Sequence, residues 1–104
     1  MKGLVICQFA ITSKNMITKL QNAATQEDNA YVQCASVSEI SEIEFQQYDV
    51  VLLAPQVRNY LAAVQEKCKP FSIPVSSIDV VAYGLQDANK VLQQMRTLYK
   101  EREV

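Results

Sequence analysis

Two short runs of continuously apolar residues constrain the fold of this chain more than any other feature of its sequence. The first is Leu4-Val5-Ile6 and the second is Val50-Val51-Leu52-Leu53. A strand with one face in water alternates apolar and polar residues, so an unbroken run indicates a strand that is covered on both faces. Both runs are far shorter than the roughly 20 apolar residues of a membrane-spanning helix. They therefore predict two central strands of a sheet with helices on either side.

Stripes of apolar residues at helical spacing lie between and after these runs. Such stripes occur in residues 16–24, 57–68 and 91–99, with apolar positions three or four residues apart. A further short helix is expected from Ser38, and the last helix is expected to fray from Lys100 onwards. The pattern predicts four helical segments, each with one face directed towards a core.

Two weaker segments complete the set of predicted strands. Residues 30–35 alternate as in a half-buried edge strand, and Ile73-Pro74-Val75 leads into a last short strand that ends near Ile78. Strands and helices then alternate along the chain, which implies a parallel sheet, and right-handed crossovers leave few topologies. We expect a three-layer α/β fold, flavodoxin-like, with a four-stranded parallel sheet of order 2-1-3-4 flanked by helices.

Composition limits the classes of function that the chain can perform. The 104 residues predict a single domain, residues 1–104, and the net charge of -1 offers no basic surface for nucleic acid. The chain contains no histidine, which excludes histidine metal sites and Ser-His or Cys-His catalysis. Three cysteines without a secretory signal predict a cytoplasmic protein with reduced thiols and no insertion into the membrane. Neither a metal nor a cofactor is expected.

Cys7 is the candidate for covalent chemistry because it closes the first predicted strand. In sheets of this kind, ligands bind beyond the carboxyl ends of the strands, where the strand order reverses. That position brings residues 7–13 next to residues 54–56. The unpaired amides at the start of the following helix would favour a thiolate or a phosphate there. The alternative is that Cys7 is a small buried residue without chemistry.

Several cysteine and phosphate chemistries do not fit the residues that follow. A phosphatase loop needs an arginine after five intervening residues, and Ser13 stands there. A redox Cys-x-x-Cys motif would need a second cysteine at Ala10. Asp49 lies at the start of its strand, the wrong end for an aspartyl phosphate. A cysteine that carries a phosphoryl group, without the means to hydrolyse it, is the chemistry that fits.

The same segments resemble the lactose/cellobiose-type enzyme IIB of sugar phosphotransferase systems. The resemblance rests on Leu4-Val5-Ile6-Cys7 with its loop bearing Thr12 and Ser13, and on the run from Asp49 through Pro55-Gln56. It continues through Ile73-Pro74-Val75 and the Tyr83-Gly84 turn. It therefore covers almost the whole chain.

The resemblance implies a phosphoryl relay in which Cys7 is the nucleophile. A IIA protein, phosphorylated on histidine, would donate to Cys7, and a sugar of the disaccharide class (cellobiose, lactose or chitobiose) bound by a membrane IIC partner would be the acceptor. The loop after Cys7 would wrap the phosphate, with Pro55 and Gln56 as possible accessory residues. That loop comprises Gln8, Phe9, Ala10, Ile11, Thr12 and Ser13. Thr12 and Ser13 could instead act simply as helix caps.

A second function class stays open at this point. Ala10 and Ala54 stand where the family has glycine, which would suit a IIB-like module that binds a partner and transfers no phosphoryl group. Cys34 and Cys68 are predicted to be core residues. Phe9 and Ile11, if exposed, are candidates for a docking surface; otherwise they pack against the first helix.

Overall fold

The fold is a four-stranded parallel sheet with helices on both faces. It is seen in a computed structural model that describes residues 1–9 and 14–102. The strands are β1 Lys2–Cys7, β2 Tyr31–Ser36, β3 Val50–Leu53 and β4 Val75–Ser77. The α-helices are α1 Lys14–Ala23, α2 Leu61–Cys68, α3 Val80–Gly84 and α4 Ala88–Arg102. The 3₁₀ helices span Val37–Glu42, Phe45–Gln47, Pro55–Tyr60 and Lys69–Phe71. The sheet order β2-β1-β3-β4 confirms the predicted order 2-1-3-4.

The two apolar runs form the centre of the sheet, as predicted. Leu4 and Ile6 of β1 pack on one side of the sheet, where Val64 and Cys68 of α2 cover them. Val5 packs on the other side, which α1, α3 and α4 cover with an apolar layer. That layer includes Met16, Leu20, Ala82, Val91, Leu92 and Met95. Both central strands are buried on both faces because alternate side chains feed two separate core layers.

The helical segments differ from the prediction in three places. The segment after Ser36 is a 3₁₀ helix, and the Ser36 amide donates to the Glu39 carboxylate at 3.0 Å. Helix α3, which was not predicted, begins after Asp79, whose carboxylate accepts from the Ala82 amide at 2.9 Å. Helix α4 does not fray at Lys100 but continues to Arg102. The longest described helix has 15 residues, and none is long and apolar enough to cross a membrane.

The strand register brings three chain segments to one edge of the sheet. Cys7 pairs with Ser36 of β2, and Leu53 of β3 pairs with Ser77 of β4. Just beyond the strands, the Ala54 amide donates to the Ile6 carbonyl at 2.8 Å. The Ile78 amide likewise donates to the Leu53 carbonyl at 2.8 Å. These bonds hold the carboxyl ends of β1, β3 and β4 at one level, where the candidate site lies.

Candidate functional site

Cys7 is the last residue of β1, and its side chain is buried at the carboxyl end of the sheet. The side chain is only 1% exposed. Its Sγ–H donates to the Phe9 carbonyl, with a sulfur–oxygen distance of 2.7 Å, and also lies 3.7 Å from the Ala35 carbonyl of β2. Both partners are backbone carbonyl oxygens, which accept hydrogen bonds.

The burial of Cys7 has a direct chemical consequence. A thiolate or a phosphorylated sulfur would be repelled by the partial negative charge of the two carbonyl oxygens. The Phe9 carbonyl belongs to a bend immediately after β1, whereas the Ala35 carbonyl is held within the sheet. A group added to the sulfur of Cys7 would therefore meet the Phe9 carbonyl oxygen, which lies 2.7 Å away.

A surface cleft of about 300 Å³ opens at the bend that follows Cys7, and Cys7 itself does not line it. Three chain segments line it: the bend after β1, the 3₁₀ helix after β3, and α3 with the turn that follows it. The lining residues are Gln8, Phe9, Gln56, Tyr83 and Gln86. The cleft thus forms at the point of strand-order reversal, where β1 and β3 are neighbours, as expected for a ligand site in a parallel sheet.

The walls of this cleft carry side-chain amides and aromatic rings. Gln86 adopts a left-handed backbone conformation with φ of 55°, and its Nε2 donates to the Tyr83 carbonyl at 3.3 Å. Tyr83 is half-buried and packs against both core layers, and this packing fixes its position. Phe9, by contrast, is 59% exposed. The cleft therefore has two aromatic rings from different segments: Tyr83, which is packed against the core, and Phe9, which is exposed.

The other two cysteines are held protonated by burial. Burial raises the pKa of the Cys68 thiol to about 11. It also raises the pKa of Cys34, with smaller contributions in the same direction from Cys7 and Glu39, against an opposing effect of Lys14. Because the thiolate is the nucleophile, neither Cys34 nor Cys68 suits phosphoryl acceptance near neutral pH. Cys34 is half-buried rather than fully inside the core, whereas Cys68 is fully buried as predicted.

The structure brings together four of the residues that the sequence singled out. Cys7 lies at the strand end, and Gln8, Phe9 and Gln56 line the adjacent cleft. Pro55 is the first residue of the following 3₁₀ helix and does not line the cleft. The other four predicted loop residues, Ala10, Ile11, Thr12 and Ser13, lie outside the described residues.

Two cleft residues were not predicted as site residues. Tyr83 had a signal in the sequence, because the Tyr83-Gly84 pair belongs to the resemblance. Gln86 had none, since it reaches the cleft only through the positive-φ turn after α3. Within residues 1–9 and 14–102, no three Cys, Asp or Glu side chains are grouped so that they could hold a metal ion.

Comparison with known proteins agrees with this fold. Residues 2–94 match the family described as "PTS system, Lactose/Cellobiose specific IIB subunit". The oligo-beta-mannoside-specific EIIB component of Bacillus subtilis (strain 168) is 25% identical over 97 residues, which cover 93% of this chain and 94% of that protein.

Two solved structures share the architecture. The cellobiose-specific IIB component of Borrelia burgdorferi superposes with a TM-score of 0.76 and 28% identity, over 98% of this chain and 94% of that one. The lactose-specific IIB domain of Streptococcus pneumoniae gives a TM-score of 0.79 over 95% of this chain and 97% of that one, and at 22% identity it supports the fold alone. With the family match across residues 2–94, these similarities establish that the chain belongs to the lactose/cellobiose-specific IIB subunits of the phosphotransferase system.

Proposed function

We propose that this chain is a phosphoryl carrier that accepts a phosphoryl group from the phosphohistidine of a IIA protein onto Cys7. It then passes the group to a sugar of the disaccharide class, such as cellobiose, lactose or chitobiose, bound by a membrane IIC partner. The observation that carries the proposal is the position of Cys7 at the carboxyl end of β1, beside the cleft of Gln8, Phe9 and Gln56. Residues 1–104 would form one IIB domain that works in the cytoplasm.

Each transfer exchanges one bond to phosphorus for another. In the first, the N–P bond of the donor histidine breaks as the S–P bond to Cys7 forms, and the thiol proton passes to the histidine nitrogen. In the second, the S–P bond breaks as an O–P bond to a sugar hydroxyl forms, and the hydroxyl proton returns to the sulfur. No hydrolysis is needed, which agrees with the absence of an arginine at position 13.

A rotation of the Phe9 peptide group would control when Cys7 is open to a phosphoryl donor. In the thiol form the Phe9 carbonyl covers the sulfur at 2.7 Å. A donor that displaces this carbonyl would expose Cys7 and remove an unfavourable oxygen at the same time. The thiol would then be protected from other electrophiles until a partner is bound.

Apolar side chains surround the site and support docking of a partner protein. Phe9 is exposed, as a docking role requires. Three more exposed apolar side chains belong to α3 or directly follow it: Val80, Val81 and Leu85, which are 57%, 63% and 74% exposed. Exposed apolar surface next to a reactive group is typical of protein interfaces. Ile11, the second docking candidate, lies outside the described residues.

The test is intact mass spectrometry after incubation with phosphoenolpyruvate, the general phosphotransferase proteins and candidate IIA partners near neutral pH. The wild type and Cys34→Ser should each gain one phosphoryl group, and Cys7→Ser should gain none. Cys34→Ser is the matched control because it removes a thiol on the neighbouring strand. If no IIA protein phosphorylates the folded wild type, the chain is a partner-binding module without phosphoryl transfer.

A further inference from the structure

We infer that the cleft formed by Gln8, Phe9, Gln56, Tyr83 and Gln86 is a binding subsite for one ring of a neutral carbohydrate. This inference rests on the proposed function, since the ring would belong to the incoming sugar at the moment of transfer. It adds that the IIB subunit itself contacts the sugar and contributes to its selection, instead of leaving recognition to the membrane partner alone.

The first argument is the charge of the lining. Apart from the Tyr83 phenol, the five residues contain no ionisable side chain. A site for phosphate or another anion uses arginine, lysine or a converging set of amides at a helix start. Three carboxamides and two rings favour a neutral ligand that carries many hydroxyl groups.

The second argument is the match between these side chains and a pyranose ring. A carboxamide presents a donor and an acceptor side by side, which pairs with neighbouring hydroxyls that can each donate and accept. Aromatic faces pack against the C–H surface of the sugar ring, as they do against other apolar groups. The side chains of Gln8 and Gln56 make no hydrogen bond to another residue in the described ranges 1–9 and 14–102, and both are exposed.

The third argument is size and position. The cleft volume of about 300 Å³ is at the lower limit of small-molecule pockets, which span roughly 300–1,000 Å³, so it fits part of an oligosaccharide rather than all of it. Gln8 and Phe9 directly follow Cys7. A ring held there would lie next to the bend that follows Cys7.

The experiment is a titration of the ¹⁵N-labelled, unphosphorylated chain with cellobiose and with β-1,4-mannobiose, followed through the side-chain NH₂ signals of the cleft glutamines. We expect these signals to shift saturably with a Kd on the order of 1–10 mM, the affinity of a shallow site. Glycerol, which has hydroxyls but no ring, should leave them in place. Gln56→Ala and Gln86→Ala should weaken binding at least about fivefold, a loss on the scale of one or two hydrogen bonds.

Gln93→Ala is the matched control because Gln93 lies on the exposed face of α4, away from the cleft. It should bind the sugars as the wild type does, and backbone amide spectra report that each variant is folded. The absence of saturable shifts, equal shifts with glycerol, or unchanged binding by Gln56→Ala and Gln86→Ala would each overturn the inference. The titration needs no phosphoryl donor, and phosphorylation of Cys7 is measured without sugar. Failure of one proposal is therefore distinguishable from failure of the other.

Discussion

The two ends of the sheet are built on opposite principles. At the amino ends of the strands, charged side chains form ion pairs that connect distant parts of the chain, Asp28 with Arg96 and Asp49 with Arg102. At the carboxyl ends, a buried thiol is bonded to backbone carbonyls beside a cleft of amides and aromatic rings. Ion pairs hold the first end, whereas at the second end a hydrogen bond to an exposed bend covers a buried thiol.

The ion pairs at the amino end fasten α4 to the loops that precede β2 and β3. Arg96 donates to both carboxylate oxygens of Asp28, at 2.7 and 2.6 Å, and the Thr25 amide donates to the same carboxylate at 2.8 Å. Asp49 accepts from the Lys2 amide at 2.7 Å as well as from Arg102. Charge-assisted bonds of this kind are the stronger ones, so they fix the strand starts.

The difference between the two ends indicates which part of the backbone can move while the rest stays folded. The bend at Gln8 and Phe9 is exposed, and it holds Cys7 by a side-chain hydrogen bond rather than by an ion pair. An S–H···O hydrogen bond is weak, so breaking it costs little free energy. Variants at the amino end should therefore alter stability, and variants at the carboxyl end should alter transfer.

The largest expected effect on stability is that of Gly3→Ala at the amino end. An added Cβ would overlap the Cε of Met95, which is fully buried between α4 and the sheet. Because overpacking forces neighbouring side chains to shift, we expect a loss of about 1–3 kcal/mol in the free energy of unfolding. Urea denaturation measures it. A stability equal to that of the wild type would contradict the overlap between the added Cβ and Met95.

Asp28→Asn should lower the free energy of unfolding at pH 7 by about 1–2 kcal/mol, a value reduced because Arg96 is 37% exposed. The hydrogen bonds from Arg96, and then that from Thr25, hold the pKa of Asp28 well below its usual range. The stabilisation is therefore present above the unfolded pKa of about 3.9 and is lost as the pH falls below it towards the folded pKa.

The pH dependence is the sharper part of this prediction. Urea denaturation at pH 7 and at pH 3 should show that the difference between wild type and Asp28→Asn shrinks in acid. A difference that stays constant would mean that Asp28 acts by shape and not by charge. Phosphoryl uptake by Asp28→Asn should match that of the wild type at pH 7.

Phe9→Ala should reduce kcat/KM for phosphoryl transfer from IIA by about fivefold, since the exposed ring would lose its apolar contact with the partner. The free energy of unfolding should not change. Phe71→Ala is the matched control, because Phe71 is a second exposed phenylalanine, 44% exposed, that precedes β4. Equal effects of the two variants on transfer would remove the docking role of Phe9.

The smallest expected effect is a gain from Gly84→Ala in α3. No atom lies within 4 Å of the position that the added Cβ would take, and the residue has no positive φ. Alanine restricts the unfolded chain and favours the helix, so we expect a stabilisation of about 0.5 kcal/mol. With Gly3→Ala it forms a pair in which the same change has opposite signs, because one added Cβ meets a buried side chain and the other meets no atom. Destabilisation by Gly84→Ala would contradict this contrast.

Local patterns were enough to predict the sheet and the position of Cys7. The runs around Val5 and Leu52 are unbroken because both strands are covered on both faces, and that property is visible in the sequence itself. Helix α3 was missed because it has five residues and buries only Ala82, so it shows no periodic stripe. The end of α4 was predicted too early because the ion pair of Arg102 with Asp49 joins residues 53 positions apart.

The site residues that lie at or directly after an apolar strand could be predicted from the sequence. Those that reach the site only through the three-dimensional fold could not. Cys7, Gln8, Phe9 and Gln56 lie next to apolar strands that mark their place. Gln86 reaches the cleft through a turn with positive φ, which no local pattern announces. The carbonyl partners of the thiol were also not foreseen, since one of them, Ala35, belongs to another strand.

The most direct measurement compares ¹³C,¹⁵N spectra of the chain before and after phosphorylation. We expect the largest chemical-shift changes at Cys7, at the Phe9 carbonyl and at the cleft glutamines. The signals of Lys2, Asp28 and Asp49 at the amino ends should stay in place. Changes centred on the amino ends, or a phosphorylated chain whose Phe9 carbonyl does not shift, would contradict a carrier that opens its carboxyl end to receive the phosphoryl group.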